Sequence, residues 1–212
     1  MKILVGVPVI YDAACVSRCL THIKHADDII IIDNDSTPDV KKVILPFNKI
    51  VNAKNLYVNP AWNQIMGYFL EHKEFDTVII LNSDIYLKDD VINIIRSLDI
   101  DGKKIIPLLT GVNAYESVSE IRETVVTDGV AGVFICLTRK MVEIVYPIPS
   151  EIRLWFGDNW IFRKLMNAGY NMTIFNNLQA IMDWSKSVSR LSEATKIIEE
   201  DKVSWSLLSK SL

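Results

Sequence analysis

No run in the 212-residue sequence approaches the ~20 consecutive apolar residues that a membrane-spanning helix requires. The apolar start, Met1 to Ile10, is short, contains Pro8 and meets Asp12 without a small-residue cleavage pattern, so it does not read as a signal peptide. Cysteine is scarce. Cys15, Cys19 and Cys136 show no Cys-x-x-Cys pairing, which argues against a thiolate metal site and fits buried core residues in a reduced, cytoplasmic setting. No Gly-x-Gly-x-x-Gly follows the first apolar run, which excludes the usual dinucleotide dehydrogenase. Neither a Gly-Lys-Ser/Thr phosphate loop nor a Gly-x-Ser-x-Gly elbow is present. The net charge of −3 gives no bulk attraction to nucleic acid.

What is present is a globular composition, 50% hydrophobic and 23% charged, at a length suited to one domain with one substantial core. The five apolar or β-branched residues from Thr77 to Leu81 form a run too short for a typical helix and suited to a strand buried on both faces. It stops at Asn82-Ser83-Asp84. Further strands are expected over residues 2–10, at Ile29–Ile32, Leu56–Val58, Lys104–Leu109, Gly129–Thr138, Asn171–Phe175 and Gln179–Met182. Helices are expected over Ala13–His25, Asp39–Leu45, Ala61–His72 with Pro60 at its start, Val91–Leu98, Arg139–Val145, Asn159–Asn167 and Leu191–Leu208. Residues 110–128 read as a loop with a strand or two. The alternation predicts an α/β fold whose mixed central sheet is mostly parallel and flanked by helices. It divides into a first half (about 1–100), a second half (about 101–190) and a terminal helix (about 191–208).

Ligands of open α/β sheets bind at the carboxyl ends of the strands, which is where the polar residues of this chain gather. The first strand ends in Val7-Pro8-Val9-Ile10-Tyr11-Asp12 and the second in Ile32-Asp33-Asn34-Asp35-Ser36-Thr37. Ala61-Trp62-Asn63 precedes the central strand, Leu81-Asn82-Ser83-Asp84 ends it, and Phe156-Gly157-Asp158-Asn159-Trp160-Ile161-Phe162-Arg163 comes later. In this order the motifs resemble the family 2 glycosyltransferases of the GT-A fold. The Asn82-Ser83-Asp84 element is similar to the Asp-x-Asp variant of the rhamnosyltransferase-like branch. The chain departs from that pattern in three places. Asn82 replaces an acid, Gly157 replaces the first acid of a pair, and Asp183-Trp184 stands where a metal-binding histidine is common.

The resemblance implies a sugar transferase that uses a nucleotide-diphosphate donor, most simply a UDP-sugar, with Mn²⁺ or Mg²⁺. Asp84 is a hard oxygen ligand of the kind those cations prefer, and Asp183 could stand in for the histidine. Pro8, Tyr11, Asp12, Asp33, Asn63, Asn82 and Ser83 are the candidates for binding the donor. Asp33 could accept from a base N–H, or it could simply form a turn with Ser36 and Thr37. Asp158 could take the proton of an attacking hydroxyl and invert the anomeric centre, or it could cap the Asn159–Asn167 helix. The acceptor stays open between a glycan, a glycolipid, a protein and a hydroxylated DNA base. Arg163 could meet phosphate or form an ion pair. Trp205, Leu207 and Leu208 offer either a homodimer contact or packing within the domain. A non-catalytic nucleotide-sugar subunit and a sugar nucleotidyltransferase remain as alternatives.

Overall fold

The computed structural model describes residues 1–88, 90–98, 100, 104–107, 115–127, 132–183 and 190–212. In chain order the elements are β1 (Ile3–Val9), α1 (Ala13–His22), β2 (Asp28–Asn34), α2 (Pro38–Val43), β3 (Asn48–Asn52), α3 (Val58–Glu71), β4 (Thr77–Leu81) and β5 (Ile85–Leu87). There follow α4 (Val91–Ser97), β6 (Lys104–Pro107), β7 (Glu123–Val126), β8 (Phe134–Thr138), α5 (Arg139–Val145), α6 (Gly157–Asn167), β9 (Asn171–Phe175), β10 (Ala180–Met182) and α7 (Ala194–Leu208). The end of the expected Lys104–Leu109 strand, the start of the expected Gly129–Thr138 strand, residues 110–114 of the expected 110–128 loop, and Trp184 lie outside the described residues.

One eight-stranded sheet runs in the order β3-β2-β1-β4-β8-β6-β9-β7. β3, β2, β1 and β4 are mutually parallel, and β8 enters antiparallel beside β4. Alternation along the central strands divides the core into two. Ile79 and Leu81 face α1, α2 and α4, whereas Val78 and Ile80 face α3, α5 and α6. Each such aliphatic side chain contributes roughly 1.5–3 kcal/mol by burial. A one-residue slip of β4 would exchange the two sets, so the register that places Asn82 at the sheet edge is strongly specified.

Several expectations need correction. The strand after α2 is Asn48–Asn52, not Leu56–Val58. It is an edge strand with mostly exposed or half-buried side chains, so it carries no apolar signature and is held by pairing to β2. Val58 already opens α3, with Pro60 in its first turn, where a missing N–H costs nothing. The first helix ends at His22 rather than His25. Immediately after Asp84 the chain forms β5, which pairs antiparallel with β10 in a separate ribbon.

Four non-glycine residues among those described have positive φ: Asp12, Asp35, Tyr57 and Phe156. Asp12, Tyr57 and Phe156 are the residues immediately before α1, α3 and α6, and Asp35 lies three residues before α2. An aromatic residue in this region is unfavourable and persists only where its surroundings enforce it.

Candidate active site

The carboxyl ends of β1, β2 and β4 meet the start of β8 along one edge of the sheet. Leu81 pairs with Phe134, and the next residue, Asn82, donates its N–H to the Val133 carbonyl at 2.9 Å. A cleft of about 740 Å³, partly open to solvent, lies over this edge. Pro8, Asn82, Ser83 and Asp84 line it, together with Asn34, Asn55 and Tyr57. A second pocket of about 1020 Å³ adjoins it, walled by Trp62 of α3 and by Trp155 to Asn159. Val58, Asn82, Val133, Leu154 and Met182 line both.

The β5–β10 ribbon brings Asp183 to Asp84. The Asp183 N–H donates to the Asp84 carbonyl at 2.9 Å, so the two acids leave from adjacent backbone positions. Asp183 Oδ2 lies 3.2 Å from the Tyr86 hydroxyl and 3.6 Å from Cys15 Sγ, and the same hydroxyl lies 3.1 Å from that sulfur. Burial, and then the bond to Cys15, push the Tyr86 phenol far above its usual range, so it stays protonated and able to donate. Burial, and then the charge of Asp84, likewise push the Cys19 thiol up, which leaves it unreactive. No group of three or more His, Cys, Asp or Glu side chains that could cage a metal occurs among the described residues. Magnesium-type cations commonly rest on one or two carboxylates plus substrate phosphates. Asp84 lines the cleft, whereas Asp183 lines neither pocket and turns its Oδ2 to Tyr86 and Cys15.

The other expected donor residues have varied surroundings. Asp33 is 3% exposed, and its Oδ1 accepts from the Ser36 N–H at 2.8 Å; Ser36 Oγ in turn donates to the Val9 carbonyl. It thus ties the ends of β1 and β2 together and is absent from the cleft lining. Asp12 caps α1 through the Cys15 N–H and pairs with Arg190 at 3.3 Å. Tyr11 is half-buried and lines neither pocket. Asn63 lies outside both linings too, because its amide is occupied by the backbone N–H and carbonyl of Ile148. Arg163 lies over the Trp205 ring, 5.8 Å from its centroid, rather than among phosphate-binding groups.

Asn34 and its neighbours, missed in the sequence, shape the cleft. Asn34 Oδ1 accepts from the Leu56 N–H at 2.9 Å, while Nδ2 donates to Asn55 Oδ1 at 2.8 Å and to the Tyr57 carbonyl at 3.1 Å. Asn52 and Gln64 extend this amide network. The network holds Tyr57 in its positive-φ conformation, and Glu193 accepts from the Tyr57 hydroxyl at 2.6 Å. That bond, and then burial, raise the Tyr57 pKa. A clue was available in the clustering of Asn52, Asn55 and Asn34, but side-chain amides carry no periodicity that marks them as partners.

Asp158 lines the second pocket from the first turn of α6. The cap residue is Phe156, not Asp158. Asp158 Oδ2 accepts from the Gly132 N–H at 2.9 Å, and Oδ1 accepts from the Asn159 N–H at 2.8 Å. A Cβ on Gly132 would fall 2.1 Å from Asp158 Cβ, so only glycine allows this approach. Gly157 has a related cause. A Cβ there would fall 2.1 Å from Asn59 Oδ1, whose amide is pinned by the carbonyls of Ile152 and Trp155. The space that a side chain at position 157 would need is therefore filled by Asn59.

The wall of this pocket is fixed from α7. Asp201, fully buried, accepts the backbone N–H groups of Arg153, Leu154 and Trp155 at 2.7–3.1 Å. Trp205 stacks on Phe156 with centroids 5.8 Å apart, so this tryptophan packs within its own chain.

Among solved structures the chain is similar to TarS 1–349 from S. aureus, with a TM-score of 0.62, 13% identity, and coverage of 95% of this chain and 70% of that one. It is similar to a mycobacterial protein, with a TM-score of 0.61, 10% identity, and coverage of 94% and 73%. A197 from STIV gives a TM-score of 0.52, 14% identity, and coverage of 85% and 84%. No protein-family model matches the chain, and no curated protein matches it in sequence. At these identities the likeness shows the fold, an α/β architecture of the GT-A kind. No helix among the described residues is long and apolar enough to cross a membrane.

Proposed function

We propose that the protein is a glycosyltransferase that moves a sugar from a nucleoside diphosphate, most simply UDP, to a hydroxyl acceptor with inversion. The observation that carries this reading is the pair of joined pockets on one GT-A-type sheet edge, with Asp84 in the lining of one and Asp158 in the lining of the other. The Asn82-Ser83-Asp84 element gives a further likeness to the rhamnosyltransferase-like branch.

Asn34, Asn55, Tyr57 and the Pro8–Ile10 backbone receive the nucleoside. Asp84 and Asp183 would hold Mn²⁺ or Mg²⁺, which offsets the charge of the departing diphosphate. Asn82, lacking an acid's charge, reduces the affinity for the cation. Asp158 accepts the proton of the acceptor hydroxyl as that oxygen attacks the anomeric carbon. The backbone N–H groups of Gly132 and Asn159 hold its carboxylate for that task.

The neutral Asn82 favours a second reading, a subunit that binds a nucleotide sugar without turnover. Thermal-shift binding of nucleoside diphosphates with and without Mn²⁺, followed by a UDP-release assay, separates the two. Mn²⁺-dependent stabilisation that is lost in Asp84→Ala, with UDP release lost about 10²–10⁴-fold in Asp158→Asn while binding persists, is the expected outcome. Binding without release would leave the subunit reading. No stabilisation by any nucleotide on folded protein would sink both.

A further inference from the structure

We infer that the pocket between α3 and residues 154–159 is a subsite for an uncharged sugar ring, so that the acceptor is a neutral glycan. This rests on the transferase reading and narrows its open acceptor.

Two unpartnered polar groups on residues that line the pocket are the first support. Trp62 is only 4% exposed, yet its Nε1–H has no hydrogen-bond partner. Asn82 Oδ1 is buried and likewise without a partner. Both residues line this pocket. Orphaned buried donors and acceptors are rare because each carries an uncompensated loss of hydration. One is a donor and the other an acceptor, and a sugar hydroxyl can serve either.

The walls are the second support. Trp155 is 46% exposed while its backbone N–H is bound by Asp201, so a large aromatic surface stands in the pocket lining on an anchored backbone. The C–H face of a pyranose packs on such a surface while its hydroxyls project to the edge. Leu154, Phe156 and Met182 continue the apolar lining.

Charge decides between acceptor classes. Among the described residues the only ionisable side chain lining the pocket is that of Asp158, which repels anions. A nucleic acid or a phosphorylated headgroup would bring negative charge to it, with no cation among the described lining residues to receive it. The space open to a water-sized sphere, about 400 Å³, suits a ring or two rather than a folded protein surface.

The test uses saturation-transfer NMR and tryptophan quenching with methyl glycosides of neutral hexoses, a hexose phosphate and a hydroxymethyl-pyrimidine nucleoside. UDP binding is followed in parallel by thermal shift. A neutral glycoside should bind saturably. Trp155→Ala, at an exposed position, should weaken it tenfold or more, and Trp62→Phe, which removes the N–H, several-fold. The UDP shift should stay unchanged in both. UDP binding with no neutral glycoside bound overturns the subsite and leaves the transferase reading standing. A phosphate or nucleoside bound more tightly than any glycoside, or a glycoside indifferent to Trp155→Ala, overturns it as well. Glycoside binding lost in Trp155→Ala without any UDP binding supports the subsite and removes the transferase reading. Binding of neither ligand class to folded protein removes both.

Discussion

The two pockets share lining residues yet are held together differently. The donor cleft is framed by parallel strand ends and by short-range amide bonds, such as those from Asn34 to Asn55 and to the Leu56 N–H, 21 and 22 positions away. The acceptor wall, residues 154–159, is a loop and the first turn of α6. Asn59 reaches Ile152 and Trp155, 93 and 96 positions away, and Asp201 reaches back 46 to 48 positions to the same loop. A sheet edge positions a ligand with backbone that is ordered anyway. A wall built on a loop needs buried polar side chains to order it, and these carry a large penalty when a partner is removed.

The strongest way to break this contrast is Asp201→Ala. Loss of the carboxylate leaves the N–H groups of Arg153, Leu154 and Trp155 without their acceptor. Urea unfolding should show a loss of about 3–5 kcal/mol. A loss under about 1 kcal/mol, typical of a surface site, would mean that Asp201 does not hold the wall.

Gly132→Ala probes the junction of the two regions. The new methyl falls on Asp158 Cβ, which cannot swing aside as a side-chain tip could. Overpacking of this kind costs about 1–3 kcal/mol, and UDP release should fall more than nucleotide binding does. Equal losses in both would show that the glycine serves folding alone.

Asn34→Ala sharpens the donor side with the smallest effect. The Leu56 N–H and the Tyr57 carbonyl lose a partner, at about 1–2 kcal/mol. Because Tyr57 loses its support, nucleoside diphosphate affinity should fall while glycoside affinity holds, as titration calorimetry with each ligand can read.

The same contrast explains what the sequence reveals. β1, β2 and β4 are legible because strands buried on both faces leave continuous apolar runs, and their ends announce Pro8, Asn82, Ser83 and Asp84. β3 is opaque because Asn48 to Asn52 lie on an exposed edge, and β5 because three residues are too few to show a period. Asp33 reads as a ligand from its position at a strand end, but its side chain is occupied by Ser36, a turn contact that the sequence allowed and could not decide. Asn59, Trp155 and Asp201 carry no local signal, since their roles arise only when distant segments meet. Gly157 looked like a lost acid, and only the position of Asn59 shows why nothing larger fits.

The Asp201 clamp also sets an order of events in synthesis. A ribosome adds about 5–20 residues per second, so Leu154 and Trp155 are made roughly 2–9 s before the carboxylate that seats them. During that interval the N–H groups of the loop can bind only water, and Phe156 lacks the Trp205 ring that later covers it. The donor side can begin to assemble as its strands emerge, whereas the acceptor wall sets last. Chains arrested before residue 201 would therefore present this aromatic loop to chaperones.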